Sequence, residues 1–305
     1  MKTEVKMQSR EYLTEFLRRR SVIAFCCAIL TLALAFYGII AGVNVTIERF
    51  QENGFTSFIY YTMISNTLAA LSAAFVFPYT VEGIRNKRFA VPKWVAVMHY
   101  IATVTITITF VFVFFFMSWA SPDEAFGGPN LFTHIFCPLL ILILFFQMES
   151  EHLYSWKDRL LGVIPFCVYM AVYVIEVLVV GEESGGWPDI YHTQEYLPPV
   201  LTIAVMLLLA FGVSIAVALL SNNFTKKRVE KMFRFWDKDL DPVEVRIEAY
   251  GLGRMAARHS DENGVQIPYD ILKNLADRYH MDPEDLMRPF VKGLMTGLGD
   301  RGEAK

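Results

Sequence analysis

Long uncharged apolar blocks dominate the first 220 residues, and they constrain the fold more than any other feature. One such run extends from Ser57 to Tyr79. A bilayer crossing takes about 20 apolar residues. The chain is 54% hydrophobic and 14% aromatic, against the roughly 45–50% apolar content of a soluble domain. The excess lies before about Leu220, and the remainder is strongly charged. This division predicts an all-α polytopic membrane protein with a small helical cytoplasmic C-terminal domain. Residues 1–21 are expected to form a cytoplasmic N-terminal segment, 22–221 the transmembrane domain, and 222–305 a basic neck and helical tail.

Six transmembrane helices are expected, at roughly 22–44, 57–79, 95–119, 131–148, 160–180 and 198–221. The first follows Arg18-Arg19-Arg20 but is too long for a signal-peptide core of about 7–15 residues, so it reads as an uncleaved helix. Cations gather in alternate connections: Arg18–Arg20, then Arg85, Lys87, Arg88 and Lys93, then Lys157 and Arg159, then Lys226, Lys227 and Arg228. Of the other connections, only the first carries a cation, Arg49. The positive-inside rule then predicts both termini in the cytoplasm, and the plasma membrane is the expected location. The outward loops 121–130 and 181–199 are acidic or neutral and rich in Gly and Pro. They read either as solvated connectors or as a lid over the membrane surface.

Polar side chains inside an apolar span are costly and suggest function. Thr62 and Asn66 are four apart, which places them on one helical face with Ser65 beside them. With this orientation Thr62 lies about 7 Å, and His134 about 5 Å, below the outer boundary. Glu176 reaches a similar level, and Asn66 sits about one turn deeper. Such a layer fits acyl chemistry. Thr62 would be the nucleophile and a neutral His134 its base. Glu176 would orient the imidazole, and Ser65 or Asn66 would donate to a developing oxyanion. The bland alternatives are a Thr62 hydroxyl bonded to the carbonyl one turn back, an Asn66 that only stitches helices, and a His134 among headgroups.

Other features carry less. His99-Tyr100 reads as an interfacial anchor at the inner end of the third span. The sequon Asn44-Val45-Thr46 abuts the first span and is discounted. Cys26, Cys27, Cys137 and Cys167 all lie in apolar blocks without ligand spacing, so no disulfide and no metal site is expected. Asp237, Asp239, Asp241 and Glu248 have the spacing of a calcium loop, but Pro242 stands where glycine is needed. No cofactor is implied. A net charge of −3 gives no reason to expect nucleic acid as a partner. The neck from Lys226 to Trp236 interleaves cations with apolar residues and would lie on anionic lipid. Helices are expected from Pro242 to about Arg258, from near Pro268, and from Asp282 with Pro283 at its first position.

Tyr61-Thr62-Met63-Ile64-Ser65-Asn66 resembles the F-T-x-x-S-N element of bacterial six-helix membrane proteins similar to the androgen-induced-gene family of intramembrane threonine hydrolases. Thr133-His134-Ile135-Phe136-Cys137-Pro138 resembles their H-x-x-x-P element. The resemblance covers about residues 22–221. It implies cleavage of fatty-acyl esters of lipid type, with Thr62 and His134 as nucleophile and base. The family's second His and following acidic residue are missing here. The alternative function is a non-catalytic receptor that binds a lipid or small ligand and signals to a cytoplasmic protein through the tail. A transporter is less well matched, because no span is broken by a mid-membrane Gly or Pro pair.

Overall fold

The computed structural model describes residues 2–86, 91–148, 154–191, 193, 198–236, 249, 253, 272–273, 276 and 283–302. These residues are helical or lie in turns and loops, with no strand among them. The helices are α1 (Lys2–Phe50), α2 (Tyr61–Asn86), α3 (Lys93–Met117), α4 (Pro122–Phe126), α5 (Phe132–Gln147), α6 (Trp156–Val180), α7 (Pro199–Trp236) and α8 (Pro283–Gly302). The chain divides into two compact units, one of Tyr12–Thr225 and one of Met1–Glu11 with Lys226–Lys305.

Five helices, not six, are long and apolar enough to cross a membrane: Arg18–Arg49, Tyr61–Arg85, Lys93–Met117, Trp156–Val180 and Pro199–Phe224. The expected six-helix bundle is corrected accordingly. The segment expected to be the fourth span is the shorter apolar helix α5. At 1.5 Å per residue α5 is about 24 Å long, short of a hydrocarbon core of about 30 Å. Its limits are local. Gly127 and Pro129 precede it, with Gly128 at φ +53°, and the chain leaves the helix at Met148 with ψ 132°. The expectation of a hydrolase also gains nothing from the scaffold, since a sheet-built hydrolase framework is not what these helices form.

The exposed residues identify the solvent. Phe36, Leu71, Phe75, Phe115, Val168, Val172 and Leu208 are exposed large apolar side chains spread over five helices. A water-soluble surface does not carry apolar area on this scale, whereas a hydrocarbon surround favours it. The protein is therefore an all-α, multi-pass integral membrane protein.

Small residues let α1 approach its neighbours. Ala24, Ala28, Thr31, Ala35 and Gly38 are buried at alternating spacings of four and three, and Gly42 continues the row. This is a seam of heptad type built from small side chains, the arrangement by which membrane helices pack closely. A side chain at Gly38 would meet Thr133 Cγ2 of α5, and one at Gly42 would meet Met63 of α2. At the opposite end of α5, Arg20 of α1 donates to the Phe146 and Gln147 carbonyls at 3.1 and 2.7 Å and to Gln147 Oε1 at 3.1 Å. An arginine on the last carbonyls of a helix satisfies acceptors that have no partner within it. Phe224 of α7 packs on Phe146 at this same end.

α3 is the central helix: 56% of its apolar window is buried, against 28–33% in the other four spans. His99 and Tyr100 are both fully buried, which corrects their reading as an interfacial anchor. Tyr100 donates to the Ser214 carbonyl at 2.8 Å and stacks on Tyr154. Gly162 leaves room for that ring, because a Cβ there would lie 2.9 Å from Tyr100 Cε1.

In the other unit, α8 begins at Pro283, the position expected from the sequence. Leu286 and Phe290 are buried on one face, and a side chain at Gly253 would run into the Phe290 carbonyl. α7 continues through the basic neck to Trp236. The calcium-like spacing and the expected helices after Pro242 and near Pro268 lie almost wholly outside the described residues.

Candidate functional site

Thr62 occupies the first turn of α2. The preceding residues form a tight 3-10 turn, Gly54–Ile59, and the chain then passes through Tyr60 with φ −82° and ψ 126°. An extended residue at that point removes the helical carbonyl that a threonine would otherwise reach one turn back. The contrast inside this protein is direct. Thr46, Thr67, Thr103, Thr105 and Thr107 each donate to the carbonyl four residues earlier, at 2.6–2.9 Å. Thr62 Oγ1 instead lies 3.3 Å from His134 Nε2. The two expected residues meet across α2 and α5.

The tautomer of His134 follows from its second contact. Nδ1 is 2.7 Å from the Ala125 carbonyl, which can only accept, so Nδ1 carries the proton. In the neutral imidazole Nε2 then presents a lone pair, to which the Thr62 hydroxyl can donate. Ala125 is wholly buried, and its carbonyl is presented by the short helix α4. The 121–130 loop is thus part of the site. His134 is 5% exposed, and Thr62 is half-buried beside it.

Two expected roles change. Glu176 was to orient the imidazole, but the Ala125 carbonyl fills the position at Nδ1. Glu176 is half-buried at the end of α6, where its own carbonyl accepts from Gly181 N–H at 3.1 Å. Ser65 and Asn66 were to donate to an oxyanion, but their protons are already committed. Ser65 Oγ donates to the Thr62 carbonyl at 3.0 Å and accepts from Thr109 Oγ1 at 2.9 Å. Asn66 Nδ2 donates to the Thr62 carbonyl at 2.9 Å and to the Thr133 carbonyl at 3.2 Å. Both residues are fully buried, and they hold the turn that carries Thr62.

The helices beside the pair widen at this level. α5 begins with a π-helical turn, Phe132–Phe136, that contains His134, and α3 and α6 end in π-helical turns at Val113–Met117 and Ile175–Val180. Such turns often accompany functional sites because they displace a carbonyl from the regular ladder.

Residues 181–191 fold onto the same end. Trp187, Ile190 and Tyr191 pack against the core. Tyr61 N–H, an orphan donor of the first helical turn, donates to Tyr191 Oη at 3.0 Å. Tyr173 and Thr193 donate to Asp189 Oδ1 at 2.5 and 3.0 Å and fasten the loop. Burial pushes the Tyr191 phenol above its usual range, so it stays neutral at physiological pH. Tyr191→Phe leaves the Tyr61 N–H without an acceptor and is expected to cost about 1–3 kcal/mol. Thermal unfolding of the detergent-solubilised protein is expected to show a lowered Tm; an unchanged Tm would mean the bond is idle.

Sequence reasoning missed several of these groups. Gly38-Ile39-Ile40-Ala41-Gly42 is a G-x-x-x-G element that signals close packing of α1. It abuts Thr133 and Met63, the chain neighbours of His134 and Thr62. No local signal marks the Ala125 carbonyl or Tyr191 as partners.

Among the described residues no cluster of His, Cys, Asp or Glu is placed to hold a metal ion. No family model, no curated protein and no solved structure matches this chain. Fold and site together therefore define its class, an α-helical multi-pass membrane protein in which a half-buried threonine meets a buried histidine.

Proposed function

We propose that this protein cleaves lipid-like carboxylic esters inside the membrane, with Thr62 as nucleophile and His134 as general base. The observation that carries the reading is the Thr62 Oγ1–His134 Nε2 contact of 3.3 Å, with the imidazole held in the base tautomer by the Ala125 carbonyl. A threonine hydroxyl is a weak nucleophile until a positioned base takes its proton. Oγ1 attacks the ester carbonyl as its proton passes to Nε2. The resulting imidazolium gives that proton to the departing alcohol, leaving an acyl-Thr62. Water then attacks this acyl group, with Nε2 again accepting the proton. The acid is released and the Thr62 hydroxyl restored.

The likeness of the two short elements to the androgen-induced-gene family supports a fatty-acyl ester as substrate. The apolar surround supports it too. Placing the basic end of the bundle, marked by Arg20, toward the cytoplasm puts the Thr62–His134 level near the outer leaflet of the plasma membrane. In this arrangement the basic neck of α7 lies against anionic lipid.

A compact second unit containing α8 favours one other reading, a receptor that binds a lipid and reports to a cytoplasmic protein. One experiment separates the two. Full-length protein in detergent is treated with a fluorophosphonate probe, and the modified residue is mapped by peptide mass spectrometry. The adduct is expected on Thr62 and is expected to vanish in Thr62→Ala. Folded protein that takes no label would remove the ester-cleaving reading in favour of the receptor.

A further inference from the structure

We propose that Asn66 is the positioning residue of the Thr62–His134 pair, a clasp that sets the distance between nucleophile and base. This inference rests on the ester-cleaving reading and assigns Asn66 a different role from oxyanion donor. Its single amide nitrogen bonds to two backbone carbonyls from helices far apart in sequence. One belongs to Thr62 itself, at 2.9 Å, and the other to Thr133, the residue before His134, at 3.2 Å. Both amide protons are spent on this bridge. The carbonyls cannot pair with each other, so a donor must stand between them. An NH2 group puts two protons on one atom, which a serine or threonine hydroxyl cannot do and an aspartate lacks entirely.

The rest of the residue supports the assignment. Asn66 is fully buried, and its Oδ1 is buried with no hydrogen-bond partner. An unsatisfied buried acceptor is a cost that calls for an explanation at a functional site. An asparagine placed only for stability would be expected to use both ends of its amide. The π-helical turn Phe132–Phe136 supplies the second half of the bridge, since its widened backbone leaves the Thr133 carbonyl open to a donor from α2. Ser65 holds the Thr62 carbonyl as well but makes no bond to α5, so the span between the two helices falls to Asn66.

The test uses the full-length protein in detergent and the fluorophosphonate probe, with labelling resolved into a maximal rate (kinact) and a half-saturating concentration. Asn66→Ala removes both donors, and Asn66→Asp keeps the shape but, as the neutral acid that burial favours, holds one proton, which cannot bridge two carbonyls. Asn66→Gln keeps the NH2 group one methylene farther out. A misplacement of about 1 Å costs about 100-fold in rate. Asn66→Ala and Asn66→Asp are therefore expected to lose about 100-fold in kinact with half-saturation nearly unchanged, and Asn66→Gln to recover about tenfold of that loss. A merely structural role would lower thermal stability without this split or this order. Wild-type kinact in Asn66→Asp, or Asn66→Gln no better than Asn66→Ala, would overturn the clasp alone. A wild type that takes no label would overturn the ester-cleaving reading and the clasp with it.

Discussion

Replacing His134 by alanine is expected to slow fluorophosphonate labelling of Thr62 by about 100- to 10,000-fold, the usual contribution of a general base. The size of the effect follows from how little else can take the proton. The Thr62 hydroxyl is directed at Nε2 at 3.3 Å, and no helical carbonyl lies one turn back to accept it instead. Loss of the imidazole also leaves the buried Ala125 carbonyl without its donor, which by itself destabilises the site. His134→Asn separates the two effects. Its amide N–H can replace Nδ1–H at the Ala125 carbonyl, while nothing replaces Nε2. Both variants are expected to be slow, with His134→Asn the more stable. The pH dependence has a definite sign. Only the neutral imidazole accepts a proton, so wild-type labelling falls as pH drops through the histidine's titration. Neither variant retains that acid limb. His134→Asn labelling at the wild-type rate would rule out His134 as the base.

The sequence made some of this arrangement visible and hid the rest, for physical reasons. Charge-free length exposed five spans because hydrocarbon admits few charges. The same criterion overcounted at residues 131–148, where apolar content is high but the turn around Gly128 and the break at Met148 shorten the helix. Thr62 and His134 stood out as polar residues in apolar runs and in two short family-like elements, and their shared level follows because helices that start at one end of the bundle place early residues together. Their approach to 3.3 Å depends on helix rotation, which packing sets. The partners of those side chains were the least legible. The Ala125 carbonyl and the Tyr61 N–H are backbone groups that every residue owns, and only the fold selects which one meets His134 or Tyr191. Asn66 and Ser65 were recognised as members of the site but misassigned, because residue type shows that a donor exists and not where its proton already points.

The seam of small residues on α1 offers the sharpest test that packing sets the geometry of the pair. Gly38→Ala puts a Cβ into the space of Thr133 Cγ2. Rotating Thr133 to clear it would break the 3.3 Å bond from Oγ1 to the Asn130 carbonyl, so the α5 backbone is pushed away instead. Overpacking of this kind costs about 1–3 kcal/mol. The displaced residue precedes His134, so labelling of Thr62 is expected to fall by about 100-fold, as for a misplacement of about 1 Å. Thr133→Ser removes the clashing methyl and keeps the hydroxyl. Alone it loses one buried methyl, a loss of about 1 kcal/mol, with little effect on labelling. Combined with Gly38→Ala, it is expected to restore both stability and labelling to near the level of Thr133→Ser alone. The double-mutant cycle would then show a coupling of about 1–3 kcal/mol between positions 38 and 133. Additive effects in that cycle would mean that α1 merely borders the pair and does not fix it. Strong coupling in stability without coupling in labelling rate would place the seam in folding alone. Coupling in both would show that the glycines of α1, which touch neither nucleophile nor base, set how closely α5 brings His134 to Thr62.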